Sequence, residues 1–400
     1  MDTPIHIVGG GLAGLIASIA CAEAGADVRL VEAHPTFGGR AATAEGPWKA
    51  NLGPHAVYTN TGLYQWLEER RLLPPVVPPR LTALRMRWQG ERRAMLPGPA
   101  WRSLGLIRRL GDAPVDSSFR EWATALVPPA AVDIYANSAG VLTFDHDPGR
   151  LSASFVAERL RRITLRARPV ARYVVGGWSV LVDRLAAAAR ERGVRLETGS
   201  RVDVVPSGGP VIVATSLRSA RRLLDDPGLS WTSTRTVLLD VGLTRSPRRE
   251  PNLISDLDEA GWAARYSATD PSLAPEGHDL IQCHLGARPG EALDDGVVRI
   301  ERLLDVGFPG WREREVWRRR SLVDSQTGAV DEPGTTWRDR PAVDRGHGVF
   351  VCGDQMAAPG HLAEVSWGSA LEAARLAVAA AVVRGGPGPV STAGGHSGRG

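Results

Sequence analysis

Gly9, Gly11 and Gly14 stand in a Gly-x-Gly-x-x-Gly spacing around Leu12 and Ala13, and Glu32 lies 18 residues further on. These residue types at this spacing suit phosphate and ribose binding. Gly9 permits a tight turn, Gly11 lets the backbone approach a pyrophosphate, and Gly14 lets a helix pack closely on a strand. An acid at the position of Glu32 can accept bonds from ribose hydroxyls.

The chemistry needs elements that position it, and the flanking residues supply them. Ile5 to Val8 is a short apolar run that reads as a buried strand. Leu12 to Ala24 is alanine-rich and helical in character, and Gly25 closes it as a C-cap. Ala26 to Val31 reads as a second strand ending at Glu32. The unit is a strand, a glycine turn, a helix and a strand. The helix start would present free N–H groups and partial positive charge to the phosphates.

Gly38-Gly39-Arg40 follows six residues after Glu32. This second glycine pair with an arginine resembles the FAD-dependent amine oxidase and phytoene-desaturase-like superfamily. In that family the chain passes the pyrophosphate a second time at the glycine pair, with the arginine nearby. Further segments resemble it in order. Asn51-Leu52-Gly53-Pro54-His55 is similar to the segment that passes under the flavin, where the family often has an acid in place of Asn51. Gly176-Gly177-Trp178 to Leu185 resembles the element that re-enters the nucleotide domain. Ser200-Arg201-Val202 resembles the stretch whose valine backbone touches the adenine. Val211 to Ala214 resembles the strand that closes this section. Val349 to Cys352 reads as a strand ending in Gly353-Asp354, a turn that in the family contacts the ribityl and phosphate groups. Trp367-Gly368-Ser369-Ala370 then leads into a helix expected over Leu371 to Val383, its start near Gly368 aimed at the flavin pyrimidine edge.

The resemblance implies a glutathione-reductase-like α/β fold: a Rossmann-like FAD-binding domain with an interleaved α+β substrate domain. The FAD domain is expected from residues 1–75, 171–235 and 342–385, and the substrate domain from 76–170 and 236–341. The Gly-, Pro- and Ser-rich tail, 386–400, is expected to be disordered. The implied cofactor contacts are Gly9, Gly11, Leu12, Ala13, Gly14, Glu32, Gly39, Arg40, Gly53, Pro54, His55, Val202, Gly353, Asp354 and Gly368.

Catalytic residues are harder to find. His55 is a candidate proton carrier, and a packed or solvent-bonded histidine is the alternative. Tyr58, Tyr266, His284 and Trp367 are weaker pocket candidates. Many amine oxidases of the family keep a lysine near the flavin on the substrate-domain sheet. Lys49, the only lysine here, falls in the nucleotide segment instead. That departure weakens an amine-oxidase reading and favours desaturase-like or redox-neutral chemistry. Thr236 to Gly242 and Asp279 to Leu285 look like strands that could floor the pocket. Phe155 to Leu165 has helical periodicity with arginines on one side. Trp101 to Leu110 reads as one amphipathic helix, either at a membrane or substrate mouth or, more commonly, solvated over the core.

Composition narrows the classes. The 400 residues carry a formal charge of +4, with 43% hydrophobic and 23% charged residues. No basic stripe interleaves with aromatics, which argues against nucleic acid. Cys21, Cys283 and Cys352 form no CxxC pair, so no metal site is expected and a reducing cytoplasm suits the chain. No run of about 18 apolar residues reads as a membrane span, and no leader precedes Ile5. No hydrolase motif and no second dinucleotide fingerprint occur, so reduced flavin would need oxygen, a quinone or another acceptor. The expected function is an FAD-dependent oxidase, dehydrogenase or desaturase acting on a small organic, specialised-metabolite or lipophilic substrate. A redox-neutral isomerase or mutase, and a non-catalytic FAD-binding protein, are the alternatives. Peripheral membrane contact stays open, as does the oligomeric state.

Overall fold

A computed structural model describes residues 3–53, 56–80, 83–164 and 170–385. Pro54 and His55, Leu165 and the tail 386–400 lie outside the described residues.

Five parallel strands form one sheet. Ile5–Val8 lies at its centre, flanked by Val211–Val213 and Val28–Val31, with Val349–Val351 and Arg195–Glu197 outermost. Ile7 pairs with both Leu30 and Ile212, and Ile212 with Phe350. The inner strands are largely apolar because helices cover the sheet, whereas the edge strand Arg195–Glu197 exposes both its charged residues. The Leu12–Glu23 helix packs against Trp178–Glu191 and against Ala363–Gly385. The last contact is a small-residue seam: Ala370, Ala373, Ala374 and Ala377 are buried. Short side chains let the two helix backbones approach, which keeps the glycine turn beside the C-terminal segment.

By length and composition, Ala363–Val383 is apolar enough to cross a membrane. Here its alanine face is part of the core.

A second sheet has seven strands, in the spatial order Glu315–Ala329, Ser233–Thr244, His278–Gly286, Trp262–Arg265, Leu253–Asp256, Leu84–Trp88 and Glu91–Arg93. The two strands read from sequence pair antiparallel, with Asp240 opposite Gln282. The Leu293–Gly307 helix covers one face and buries Val297, Ile300, Leu303 and Leu304 against Val237 and Ile281. A small sheet joins the halves: Ala171–Val174 pairs with Val57–Tyr58 and with Val76–Val77.

Two element boundaries differ from expectation. The C-terminal helix starts at Ala363, not Leu371, so Gly368 lies in its second turn and is not an end residue. Glu364 starts the helix early, because its carboxylate accepts the backbone N–H of His361 and stabilises the first turn. The Trp101 to Leu110 segment is two short helices, Gly98–Arg102 and Gly105–Arg109, separated at Ser103 and Leu104. Trp101 is 58% exposed, whereas Leu106 and Leu110 are buried in a helical core.

Candidate functional site

The glycines of the first turn fall into two groups. A Cβ on Gly14 would stand 1.9 Å from the Gly9 carbonyl, and one on Gly10 would strike Phe37 at 2.5 Å. Gly9 has φ +108° and backs onto Ala214. Packing or backbone conformation therefore demands these glycines. Gly11 is different: its φ is −74°, and a Cβ would meet nothing nearer than the Gly38 carbonyl at 3.9 Å. The protein itself does not need glycine there. Gly11 caps the Leu12–Glu23 helix without a side chain, and the first turn holds no acid. Leu12, Ala13 and Gly14 thus begin a helix whose end is shaped for an outside anion.

Glu32 is buried and braces this turn. One carboxylate oxygen accepts the Gly10 N–H at 2.7 Å, and the other accepts the His34 N–H at 2.8 Å. Each oxygen keeps a lone pair that a ribose hydroxyl can use. Val202 follows a stretch tied to the same place, since Ser200 N–H donates to the Glu32 carbonyl at 2.9 Å. Its side chain is partly buried on the sheet core.

The second glycine pair closes over the first. Gly38 N–H donates to the Gly10 carbonyl at 2.8 Å, and Gly39 faces Gly11. Arg40 then forms a two-armed ion pair with Asp354, at 2.5 and 2.8 Å. Gly53 lies beneath, where a Cβ would stand 2.8 Å from the Arg40 carbonyl. Behind Asp354, the buried Ser369 hydroxyl accepts the Gly353 N–H at 3.0 Å. The structure thus gathers Gly11, Gly39, Arg40, Gly53 and Asp354 from segments far apart in sequence. Gly368 sits one residue before Ser369, and a Cβ on it would stand 3.6 Å from the Ala358 Cβ.

Asn51 explains why an acid is not required at its position. Its Oδ1 accepts the Trp178 N–H at 3.1 Å and the Thr43 hydroxyl at 2.9 Å. It therefore caps the Trp178–Glu191 helix from a remote segment, where Gly177 has no side chain to do so. Its backbone bonds Gln282 on the large sheet, Gln282 bonds Asp240 at 2.8 Å, and Arg319 pairs with Asp240. Burial raises the Asp240 pKa, and Arg319 and Gln282 oppose that shift. This network fixes the glycine-rich segment to the large sheet. Lys49 takes no part in it: its side chain is exposed, and its backbone N–H donates to the Leu273 carbonyl.

Beside this lies a region of aromatic and acid–base groups. Tyr173 and Tyr266 have ring centroids 4.9 Å apart and share a side-chain hydrogen bond. Tyr58 is their neighbour on the small sheet, and burial pushes its phenol up to about 12. His284 packs instead between Trp262 and Phe144, close to the Gly140 carbonyl, in the body of the sheet. Trp367 lies over Gly62, where a Cβ would stand 2.3 Å from its ring.

Sequence reading missed His361 and Glu364 as a pair, although Glu364 follows three residues after His361. His361 Nδ1 lies 2.7 Å from Glu364 Oε2, and its Nε2 is buried without a partner among the described residues. The three cysteines are buried, and burial pushes each thiol up, which leaves them unreactive. Among the described residues no cluster of three His, Cys, Asp or Glu could hold a metal ion.

These residues fit a flavin dinucleotide on three counts. The Gly11–Gly39 cradle would be filled by a Cβ that nothing in the protein excludes. An uncapped helix start faces it. The acid at the end of the second strand retains acceptor capacity.

Residues 7–69 match the family of NAD(P)-binding Rossmann-like domains. No curated protein matches the sequence significantly. Among solved structures, the chain is similar to an oxidoreductase from Methanosarcina mazei at 17% identity, covering 92% of this chain and 98% of that one, with TM-score 0.74. It is similar to cyclohexylamine oxidase from Brevibacterium oxydans at 15% identity, covering 95% and 99%, with TM-score 0.73. It is also similar to reduced UDP-galactopyranose mutase at 14% identity, covering 94% and 93%, with TM-score 0.69. The chain shares the fold of these proteins, a Rossmann-like nucleotide unit with a second, mostly antiparallel sheet.

Proposed function

We propose that this chain is an FAD-dependent oxidoreductase acting on a small organic substrate. The observation that carries the reading is Gly11: neither its backbone angles nor its packing call for glycine, so the open space it leaves is there for a ligand. Gly9, Gly11, Gly14, Gly39 and the start of the Leu12–Glu23 helix would hold the pyrophosphate, and Glu32 the ribose. Arg40 and Asp354 would face the phosphate and ribityl groups. When bound, FAD would supply the hydride-accepting redox chemistry.

The chain's own residues do the rest. The Asn51–Gln282–Asp240–Arg319 network holds the large sheet against the nucleotide unit, so the wall facing the cofactor is rigid. Tyr58, Tyr173 and Tyr266 give an apolar wall with hydroxyl edges, which suits a small molecule carrying one polar group. The buried rings also exclude water.

A redox-neutral isomerase is the second reading. It is favoured by the sheet position that carries lysine in many amine oxidases: here the only lysine, Lys49, is exposed and outside that sheet.

Reoxidation of the photoreduced protein separates the two. Rapid reoxidation in air supports an oxidase, for which amines and alcohols are then screened with peroxide detection. Slow reoxidation with no acceptor reduced contradicts the oxidoreductase reading and supports the isomerase.

A further inference from the structure

His361 sits in the loop between the Gly353-Asp354 turn and the C-terminal helix, with a side chain only 1% exposed. Its ring Nδ1 and its backbone N–H both meet the same Glu364 oxygen, at 2.7 and 3.0 Å. Arg162 approaches that oxygen at 3.2 Å and also binds Glu158. Burial would raise the Glu364 pKa, but its contacts with His361 and Arg162 prevail and lower it. An ionised carboxylate only accepts hydrogen bonds, so Nδ1 carries the hydrogen.

Burial also lowers the pKa of the imidazole. The Glu364 bond opposes this, and repulsion from Arg162 and Arg159 reinforces it. The ring is therefore neutral, with its lone pair on Nε2. Nothing among the described residues donates to that atom. The Tyr58 ring lies 5.0 Å away, tilted by 53°, on the strand that follows the Asn51–Gly53 segment. The charged and titratable groups around the ring are thus Tyr58, Glu158, Arg159, Arg162 and Glu364. A buried acceptor whose tautomer is fixed by a carboxylate on the far side of the ring has the arrangement of a general base.

We propose that Nε2 of His361 is the proton acceptor of this site, taking a proton from an ammonium or hydroxyl group of the bound small molecule. The inference rests on the ligand site proposed above. In this step the N–H or O–H bond of the ligand breaks, its electron pair stays on the ligand nitrogen or oxygen, and an Nε2–H bond forms. The imidazolium so made is balanced by Glu364, which acts as a positioning residue. No electron leaves the ligand in this step.

The test is nitrogen NMR on protein labelled with 15N-histidine, at neutral pH, before and after loading with FAD. His361→Asn assigns the resonances. The expected result is an Nδ1–H tautomer with a bare Nε2 in both states. Glu364→Gln should shift the ring towards the Nε2–H form while circular dichroism shows the fold retained. An Nε2–H tautomer or an imidazolium in the native protein overturns the proposal. So does a hydrogen bond to Nε2 that arrives with FAD, because the cofactor would then be the missing donor. As a second measurement, His361→Gln should bind FAD within about threefold of the native affinity. Weakening of about tenfold or more assigns the residue to the cofactor and overturns the proposal. The tautomer is readable without cofactor, so a protein that takes up no FAD defeats the proposed function separately from this inference.

Discussion

Arg40 and Asp354, 314 positions apart, hold each other through two hydrogen bonds, Nη1 to Oδ2 at 2.5 Å and Nη2 to Oδ1 at 2.8 Å. The pair joins the second glycine turn to the Gly-Asp turn, so two segments expected to touch the cofactor also touch each other. Arg40 is partly exposed and Asp354 is nearly buried. Asp354→Asn keeps the shape and removes one charge. We expect about 1 kcal/mol of lost stability in urea melts of the apoprotein, because solvent screens the arginine. FAD affinity should fall further than stability does. Equal affinity in the variant would show that the pair is structural only.

Gly11→Ala and Gly14→Ala separate a ligand glycine from a packing glycine. Alanine at 14 drives a Cβ to 1.9 Å from the Gly9 carbonyl. It should cost about 2 kcal/mol or more in thermal or urea unfolding, as overpacking does. Alanine at 11 meets nothing within 3.9 Å at an ordinary φ. Its melting temperature should match the native one, while its FAD affinity drops. A destabilised Gly11→Ala variant would contradict the assignment.

Asn51→Ala removes a remote helix cap. The Trp178 N–H and the Thr43 hydroxyl would both lose their acceptor. The expected loss is about 1–2 kcal/mol by urea unfolding, the range for N-cap deletions. Asn51→Asp keeps an acceptor and should recover most of it. No recovery would mean that the amide N–H₂ matters instead.

Glu364 predicts a pH signature. Its folded pKa is lowered, as the His361 and Arg162 contacts outweigh the opposing effect of burial. A lowered carboxylate adds stability above its unfolded pKa, about 4.3, and loses it as pH falls through the folded value. The native protein should therefore exceed Glu364→Gln by a constant amount at neutral pH, about 2 kcal/mol for a nearly buried ion pair. That gap should shrink only below about pH 4. A gap that closes between pH 5 and 7 would contradict the account.

Much of the nucleotide unit was legible because local rules and tertiary packing agree there. Gly25 ends the first helix at φ +80°, as a C-cap glycine should. Glu32 sits where the motif places it. Its bonds to Gly10 and His34 were not legible, because they depend on how the turn folds back. The start of the last helix was misplaced for a related reason. Only the spatial meeting of Glu364 with His361 and Arg162 shows that a helix begins at Ala363. The polar network through Asp240, Gln282 and Arg319 joins three strands of one sheet to a distant segment. No spacing rule connects such residues. Trp101 to Leu110 misled by composition: its apolar and basic residues suggested one helix, but the chain turns at Ser103 to bury Leu106 and Leu110.

FAD binding is the central claim, and the visible spectrum tests it most directly. The protein is purified, its spectrum is recorded, and any apoprotein is titrated with FAD. The account predicts flavin absorbance that stays with the protein through gel filtration, and its loss in Gly11→Val with the fold intact. A native protein that neither carries flavin nor takes it up would contradict the account.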